Sequence, residues 1–419
     1  MVRFVHLISI RLEQIPMSNQ AEAIPSLWKH RVFQQLFWAH GLSLFGSGLS
    51  SLALGLLAHQ LVGASASSVL GVTLAIRIVV IVLCSPWSGQ IAAKWGARRV
   101  MVISDLMRCG VLVGFYFADA VWQIYALAVL LNLGSAIFTP IYRAIIPDVV
   151  TPAQYPKAAA IGSIAYDAAN ILSPSIAAIV IALVGFRGNF VVDGITFLVS
   201  AALIIGLPRL AAEVASGVKK APVSVGHGLT AMLHRPQLRQ SLFLALQTSV
   251  AGAFVIVATV DLVKNELRLS DTAYAWIMGA FGIGSVCGAI VYSKISTRGR
   301  NLCVRCAGPA MLAPLVGVSI APRYGIVMAA WALIGAGYSI LGVRGSELLA
   351  ENSSGEERPH IFAAHFALSH AGWGLTYPLA GFLTTALGFG RTGWVFAAVL
   401  LGVCIPSWLA NSRIQKTAG

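Results

Sequence analysis

The chain has 419 residues, of which 57% are hydrophobic and 11% are charged, and its mean hydropathy is +0.80. A soluble domain carries about 25% charged residues, so these values exclude a soluble globular fold and indicate a protein surrounded by lipid. The net charge of +14 is spread over separate short loops, which argues against a nucleic-acid-binding surface.

Twelve stretches of the chain are long and apolar enough to cross a bilayer as helices. In chain order they are 33–62, 66–93, 99–118, 121–142, 157–184, 189–207, 240–262, 273–294, 301–320, 324–346, 360–387 and 392–411. Helices are expected because lipid-exposed backbone must be hydrogen-bonded within its own segment, and the alternation of a barrel strand is missing. The predicted fold class is an all-α polytopic membrane protein with 12 transmembrane helices.

A long charged connection after the sixth span divides the predicted helices into two halves of six. The predicted parts are a cytoplasmic N-terminal segment (1–32), an N-terminal six-helix half (33–208), a cytoplasmic central loop (209–239), a C-terminal six-helix half (240–411) and a short cytoplasmic tail (412–419). Translation from Met17 is an alternative start, because the polar stretch that begins there is typical of a cytoplasmic lead-in. Paired halves predict a site between them near the membrane midplane.

Lys and Arg predict the orientation, because cytoplasmic loops carry an excess of both. The basic residues on the side of the N-terminus are Lys29, Arg31, Lys94, Arg98, Arg99, Lys157, Lys219, Lys220, Arg235, Arg239, Lys294, Arg298, Arg300, Arg358, Arg413 and Lys416. Those on the opposite side are Arg187, Lys264, Arg268, Arg323 and Arg391. This asymmetry predicts that both termini are cytoplasmic.

A basic loop lies between the second and third predicted spans. Its glycines and basic residues are Gly89, Lys94, Gly96, Arg98 and Arg99. The pattern resembles the signature loop of the major facilitator superfamily, which has a Gly, an acid followed by a base, a second Gly and a basic pair. The resemblance implies a gating loop whose charges bind a neighbouring helix end in one conformation and release it in the other. Ala93 stands where the family has the acid, so the basic residues are expected to act as helix-end anchors.

Ser173 and Pro174 in the fifth span resemble the Gly-Pro antiporter motif of the same superfamily, with Ser in place of Gly. A Pro bends a helix, and small neighbours let a second helix approach closely. A kink is therefore predicted here, serving either transport or packing.

Five short stretches resemble one branch of this superfamily, which contains macrolide and enterobactin exporters and nickel-resistance permeases. They are Trp122–Tyr125, Phe138–Pro140, Ile146–Val149, Tyr166–Asp167 and Leu172–Pro174. The resemblance implies export of a small molecule, with a drug-like compound, a siderophore-type metabolite and a metal ion all open as the substrate.

Ionisable residues within the spans are candidates for the mechanism, because each costs about 3 kcal/mol at the bilayer centre unless it is paired or hydrated. Asp167 in the fifth span and Arg77 in the second each lie about 15 Å from a membrane face. Asp167 is predicted to bind and release a proton, with Arg77 adjusting its proton affinity or contacting an anionic substrate group. The alternative is a static ion pair, or an Asp167 carboxylate capped by Asn170.

Other charged residues favour structural roles. Asp105 and Arg108 are three residues apart on the third span and can pair on one helix face, so they are predicted to form a structural charge pair. Asp193, and Arg344 with Glu347, have the same interpretation, with a position of Arg344 at the mouth of the cavity as the alternative. His40, His59, His360, His365 and His370 do not have the spacing of a shared metal site, so no metal or cofactor is predicted.

The sequence also lacks a P-loop, a G-x-S-x-G turn and an H-E-x-x-H helix, so it is predicted not to be an enzyme. We therefore expect a proton-coupled secondary transporter, acting as an efflux antiporter by alternating access, monomeric and located in a bacterial inner membrane. Its expected partners are a small-molecule or ion substrate, protons and the lipid bilayer. The alternatives are a polytopic acyl or glycosyl transferase and a nickel exporter with the same fold.

Overall fold

The computed structural model describes residues 27–151, 154–207, 225–353 and 357–418. This part of the chain contains thirteen α-helices and no β-strand, which confirms the predicted all-α fold class. The N-terminal half contains α1 (Arg31–Val62), α2 (Ala66–Cys84), α3 (Ser88–Trp95), α4 (Ala97–Phe117), α5 (Val121–Val149) and α6 (Tyr155–Ile205). The C-terminal half contains α7 (Val225–His234), α8 (Pro236–Asp261), α9 (Asp271–Lys294), α10 (Thr297–Ile320), α11 (Tyr324–Glu351), α12 (Arg358–Leu387) and α13 (Phe389–Ala418).

Hydropathy located the helices well, because each of the twelve predicted stretches extends at most two residues beyond the helical segments. Several helices are longer than predicted, and α5, for example, continues to Val149. In the described part of the chain, nine helical stretches are long and apolar enough to cross a bilayer, with Arg31–Trp95 treated as one stretch. The count of twelve crossings and the cytoplasmic termini stay predictions.

Glycines with positive φ stand at four breaks between helical segments. They are Gly63 (φ 54°), Gly96 (φ 84°), Gly185 (φ 74°) and Gly388 (φ 81°). Gly185 divides α6 into two helical arms. Ser173 on the first arm lies against Gly48 of α1, and Asp193 on the second arm lies against Gly46 of α1. Because both arms contact α1 at nearly the same level, they form a hairpin. We call the end of the bundle with Gly63, Gly185 and Gly388 the Gly63 end, and the opposite end, with Gly96, the Gly96 end.

The short helix α7 lies within the predicted central loop, where no helix was expected. It packs on α12, since a side chain at Gly228 would meet the carbonyl oxygen of His360. Beside it, Arg235 donates hydrogen bonds of 2.8 and 2.6 Å to the two carboxylate oxygens of Glu357, which raise the pKa of Arg235. Met17 and residues 208–224 of the connection lie outside the described residues.

Candidate functional site

Three serines of the N-terminal half hydrogen-bond to the C-terminal half. Ser67 Oγ at the start of α2 donates to the carbonyl oxygen of Val257 on α8, at 2.9 Å. Ser68 Oγ donates to Thr385 Oγ1 on α12, at 2.7 Å, and Ser175 Oγ on α6 donates to the carbonyl oxygen of Gly279 on α9, at 3.2 Å. These bonds join α2 and α6 to the other half towards the Gly63 end.

Glycines let α2 and α12 approach each other in the same region. A Cβ at Gly71 would lie 2.5 Å from the carbonyl oxygen of Tyr377, and a Cβ at Gly381 would lie 2.3 Å from that of Ser67. Real Cβ atoms do not come this close to backbone. Backbone therefore meets backbone here, as at the small-residue contacts of membrane helices.

A carboxylate of the C-terminal half lies at the N-terminus of α2. Asp261 Oδ2 on α8 accepts a hydrogen bond from the Ser67 amide at 3.3 Å, and Asp261 Oδ1 accepts one from Asn265 Nδ2 at 2.7 Å. Negative charge is favourable at a helix N-terminus, where amides lack intrahelical partners. The sequence analysis did not single out Asp261, because its helix-capping partner is 194 residues away in the chain.

Further from the Gly63 end, ionisable side chains lie on helices of both halves. They are Arg77 on α2, Arg143 on α5 and His370 on α12. The helices meet here, because a Cβ at Gly374 would lie 3.5 Å from Ile78 Cγ2, beside Arg77 and one turn from His370. Arg77 and His370 are partly buried and Arg143 is exposed.

Aromatic side chains adjoin this group. The rings of Trp373 and Tyr377 on α12 have centroids 4.9 Å apart, and those of Trp373 and Tyr338 on α11 have centroids 6.3 Å apart. Positions 370, 373 and 377 share one face of α12, because side chains three to four residues apart lie above one another on a helix. This face therefore carries apolar surface beside His370.

The N-terminal half encloses a buried charge pair. Arg108 Nη2 donates to Asp105 Oδ1, and Ser200 Oγ donates to Asp105 Oδ2 at 2.7 Å. The Arg108 guanidinium also lies 4.1 Å from the ring centroid of Phe197 and 4.7 Å from that of Phe138. The Asp105 side chain is 0% exposed and the Arg108 side chain is 3% exposed. Water does not reach either charge, so each is balanced by the other.

A second buried carboxylate lies on the same helix as Ser200. Asp193 is 0% exposed, and its oxygens accept hydrogen bonds from Ser50 Oγ on α1 and, at 3.3 Å, from Thr196 Oγ1. Arg108 acts on Asp193 as well as on Asp105. The described donors to the Asp193 carboxylate are thus hydroxyl groups, whereas Asp105 has the Arg108 guanidinium as its partner. Sequence analysis identified Asp193 but not its donors, because Ser50 is 143 residues distant.

The predicted coupling residues are described in part. Asp167 and Asn170 lie on α6, and their side chains, like that of Pro174, lie outside the described residues, so the pairing of Asp167 with Arg77 stays a prediction. Ser173 is buried against α1, with its Oγ 3.4 Å from the carbonyl oxygen of Phe45. This contact fits the close helix approach expected at the Ser-Pro motif.

The predicted gating loop forms α3 and the turn at Gly96. Arg98 donates to the carbonyl oxygen of Ile205, the last residue of α6, while Lys94 and Arg99 are exposed and Gly89 lies within α3. A cation at a helix C-terminus interacts favourably with its unpaired carbonyls. The arrangement has the geometry of a helix-end anchor, with gating still a prediction.

Metal ligands do not cluster in the described part of the chain. Its His, Cys, Asp and Glu side chains form no group of three that could hold a metal ion. His40, one of the five histidines considered from the sequence, stacks on Tyr142 with the ring centroids 4.1 Å apart.

Comparison with known families covers nearly the whole chain. A sequence model of the Major Facilitator Superfamily matches residues 36–263 and 242–418. The uncharacterised MFS-type transporter YfiS of Bacillus subtilis is 23% identical over 224 residues. That match spans 51% of this chain and 52% of YfiS, about half the length of each.

Three solved structures with the same fold are distant in sequence. A bacterial homologue of the lysosomal transporter Spinster, inward-facing and occupied, has a TM-score of 0.71 at 13% identity, covering 93% of this chain and 97% of the other. An inward-facing bacterial homologue of the iron transporter ferroportin has a TM-score of 0.70 at 14% identity, covering 91% and 99%. The nucleoside transporter NupG has a TM-score of 0.69 at 11% identity, covering 90% and 98%. At these identities the likeness concerns the fold alone.

Proposed function

Because the chain belongs to the Major Facilitator Superfamily, we propose that it is a secondary active transporter that exports a small molecule in exchange for protons by alternating access. The observation that carries the proposal is the position of the contacts between the halves. Ser67, Ser68 and Ser175 join the halves towards the Gly63 end, whereas the ionisable residues Arg77 on α2 and His370 on α12 lie further along. This arrangement supports a bundle that closes at the Gly63 end and receives its substrate from the other end.

The Lys and Arg distribution places the Gly96 end in the cytoplasm of a bacterial inner membrane. The closed end then faces outward, and the site takes its substrate from the cytoplasm. Export is favoured over import by the resemblance of stretches within residues 122–174 to the exporter branch of the superfamily. The transporter acts as a monomer in this proposal, since each chain carries both halves.

Protons are the proposed energy source, because the sequence has no nucleotide-binding motif. Asp167, on the same helix as Ser175, is the proposed proton carrier, with Arg77 as its charged neighbour and Asn170 as a hydrogen-bonding one. In one conformation the arginine favours the ionised acid, and when it moves away the acid takes up a proton.

The test begins with a strain that lacks the gene and the same strain complemented with it. Both are screened for susceptibility to antibiotics and metal ions, and the cellular content of each compound that distinguishes them is followed with and without a protonophore. We expect efflux that depends on the protein and stops when the protonophore is added. Protein-dependent efflux that continues unchanged after the proton gradient is removed would overturn proton coupling, and uptake rather than efflux would overturn the direction.

A further inference from the structure

A carboxyl group is buried where the two halves meet at the Gly63 end. Asp261, the last residue of α8, is 5% exposed. Its Oδ2 accepts a hydrogen bond from the Ser67 amide of α2 at 3.3 Å, and its Oδ1 accepts one from Asn265 Nδ2 at 2.7 Å. The exposed residue Ala64 precedes Ser67 by three positions, in the turn that leads into α2. Asp261 therefore lies inside the contact between the halves but close to the surface of the bundle.

The ion pairs of the described residues do not include Asp261. Lys264, the nearest basic residue in the chain, donates instead to Asp271 Oδ1 at 2.7 Å and to the carbonyl oxygen of Leu269 at 3.1 Å. Burying a carboxylate without a counter-ion costs more free energy than its interaction with a helix N-terminus returns. The bond from the Ser67 amide is also longer than the about 2.7–2.9 Å of a strong charge-assisted hydrogen bond. The closed contact therefore favours the uncharged acid.

Asn265 can bind Asp261 in either protonation state. A side-chain amide carries both a donor and an acceptor, so Asn265 can donate to the carboxylate or, after turning over, accept from the protonated acid. The Ser67 amide can donate to the other carboxyl oxygen in both cases. When the Gly63 end opens, α2 leaves α8 and Asp261 meets water, which favours its ionised form. Proton binding and closure of the Gly63 end therefore favour each other.

Other ionisable groups near this contact lie on the same turn as Asp261, on α9 and on α1. They are Lys264, Glu266, Arg268, Asp271, Tyr274 and His59. Glu266 Oε1 accepts a hydrogen bond from the Phe389 amide at 3.3 Å, within the C-terminal half. Residues 63–76, which include the start of α2, and residues 378–387 of α12 contain no ionisable side chain. The start of α2 thus contributes hydroxyl and amide groups to the contact, and the acid comes from α8.

We propose that Asp261 is a proton-dependent latch, which closes the Gly63 end when Asp261 is protonated and lets it open when Asp261 is ionised. The proposal rests on the transport function proposed above and adds a positioning residue to it. Periplasmic protons reach Asp261 while the Gly63 end is open, and their binding lets the halves close and turn the substrate site to the cytoplasm. The proton returns to the periplasm when the end reopens, so Asp261 controls closure and Asp167 stays the proposed carrier.

Distances between spin labels on the two halves test the latch in the full-length protein in lipid nanodiscs. The labels are attached to Ala64→Cys and Arg391→Cys, two exposed positions at the Gly63 end, in a background without the native cysteines. Electron spin resonance then measures the fraction of molecules with the longer, open distance. We expect this fraction to rise about fivefold or more from about pH 5 to about pH 8, because one titrating group changes a two-state equilibrium by up to about tenfold per pH unit. An open fraction that is constant or falls as the pH rises would overturn the latch.

Variants of Asp261 assign the pH response to this residue. Asp261→Asn should stay closed at every pH, because the amide has the shape of the neutral acid and does not ionise. Asp261→Ala should also lose the pH response, so the test does not depend on the folding of one variant, and Asp261→Glu should retain the response. The matched controls are Glu266→Gln and His59→Gln, which remove other titrating groups at the same end and should respond like the wild type. A wild-type response in Asp261→Asn, or its loss in His59→Gln, would contradict the proposal.

The label distances and the efflux assay together distinguish failure of this inference from failure of the proposed function. Opening that depends on pH and on Asp261, in a protein without proton-driven efflux in the complemented strain, would support the latch and contradict the transport mechanism. Proton-driven efflux by a protein whose Asp261→Asn variant opens with pH like the wild type would support the transport mechanism and overturn the latch.

Discussion

At the scale of single residues, the surroundings of a charge decide its role. Asp105 and Arg108 form a pair that is almost fully buried, whereas Asp271 pairs with Lys264 at 2.7 Å and is 41% exposed. Sequence spacing predicted that Asp105 and Arg108 could meet. It did not predict Ser200 or the two phenylalanine rings around Arg108, because those contacts depend on how α4, α5 and α6 are rotated against one another.

Replacing Asp105 with Asn should destabilise the protein strongly. The change leaves the Arg108 guanidinium buried without its counter-charge, which costs about 3–5 kcal/mol when one partner of a buried pair is removed. Asp271→Asn is the matched control, because loss of a partly exposed pair costs about 1 kcal/mol or less. Thermal unfolding of the purified variants in detergent measures the difference. Equal melting temperatures for the two variants would show that Arg108 is not buried as described.

Replacing Asp167 with Asn should separate proton coupling from transport. The amide keeps the shape of the side chain but does not titrate, so downhill substrate exchange should persist while pH-gradient-driven efflux from membrane vesicles is lost. Asp193→Asn is the comparison, since Asp193 is the acid shielded by Ser50 and Thr196. Full gradient-driven efflux by the Asp167 variant, together with loss in the Asp193 variant, would transfer the coupling role to the buried acid.

At the scale of helices, hydropathy predicted where the helical segments lie but not where one helix ends and the next begins. The helical segments followed from long apolar runs, yet α6 continues through the predicted fifth and sixth spans and reverses at Gly185. The predicted gating loop likewise consists of a short helix and a turn. A residue with φ of 84° is needed at Gly96, which Gly adopts without the steric penalty of a side chain. The sequence analysis expected the basic residues of this loop to bind a helix end, but it could not identify Ile205 at the end of α6 as the partner of Arg98.

The two arginines after Gly96 should differ in their effect on transport. Arg98→Ala removes the hydrogen bond to Ile205 and should slow transport several-fold, because the anchor acts on the balance between two conformations. Arg99→Ala, at an exposed position next to it, should have a smaller effect on transport, and the double variant should resemble Arg98→Ala. Initial rates of efflux, normalised to the amount of inserted protein, provide the comparison. Equal rates in both variants and the wild type would reduce the loop to a topology signal.

At the scale of the whole molecule, the halves meet through small side chains and backbone. The sequence predicted a site between the halves from the duplicated organisation, and it identified Arg77 from its depth in the second span. Arg143 and His370 could not be selected in this way. Arg143 follows the predicted end of the fourth span, and His370 is one of three histidines around the eleventh. Where they lie relative to Arg77 depends on how the two halves are packed together.

Gly71→Ala should open the Gly63 end. Its Cβ would lie 2.5 Å from the Tyr377 carbonyl oxygen, and overpacking of this kind costs about 1–3 kcal/mol in the conformation that contains the contact. The fraction of molecules open at this end should therefore rise about fivefold or more. Labelling of Ser68→Cys by a membrane-impermeant maleimide, in a background without the native cysteines, measures it. Gly342→Ala is the control, because its Cβ would meet nothing within 4 Å. Equal labelling of Ser68→Cys in the Gly71→Ala and Gly342→Ala variants would show that the contact of Gly71 with Tyr377 does not hold the Gly63 end closed.

The orientation in the membrane follows from the basic residues. Reporter fusions at Lys220 and after Arg413 should be cytoplasmic, and a fusion near Lys264 should be periplasmic, because Lys and Arg are concentrated on the side of the termini. Activity of a periplasmic reporter and of a cytoplasmic reporter at each position provides the measurement. A cytoplasmic signal near Lys264 would change the number of crossings.

The position of the buried charges also bears on how the protein is made. A charged residue at the centre of a helix costs about 2.5–3.5 kcal/mol when the translocon inserts it. Asp105 meets Arg108 within its own helix, and Asp193 enters after Ser50, its donor on α1, has been synthesised. Ser67, by contrast, must wait for Val257 and Asp261 of the later half. We therefore expect the buried polar contacts within the N-terminal half to form before those that join it to the C-terminal half.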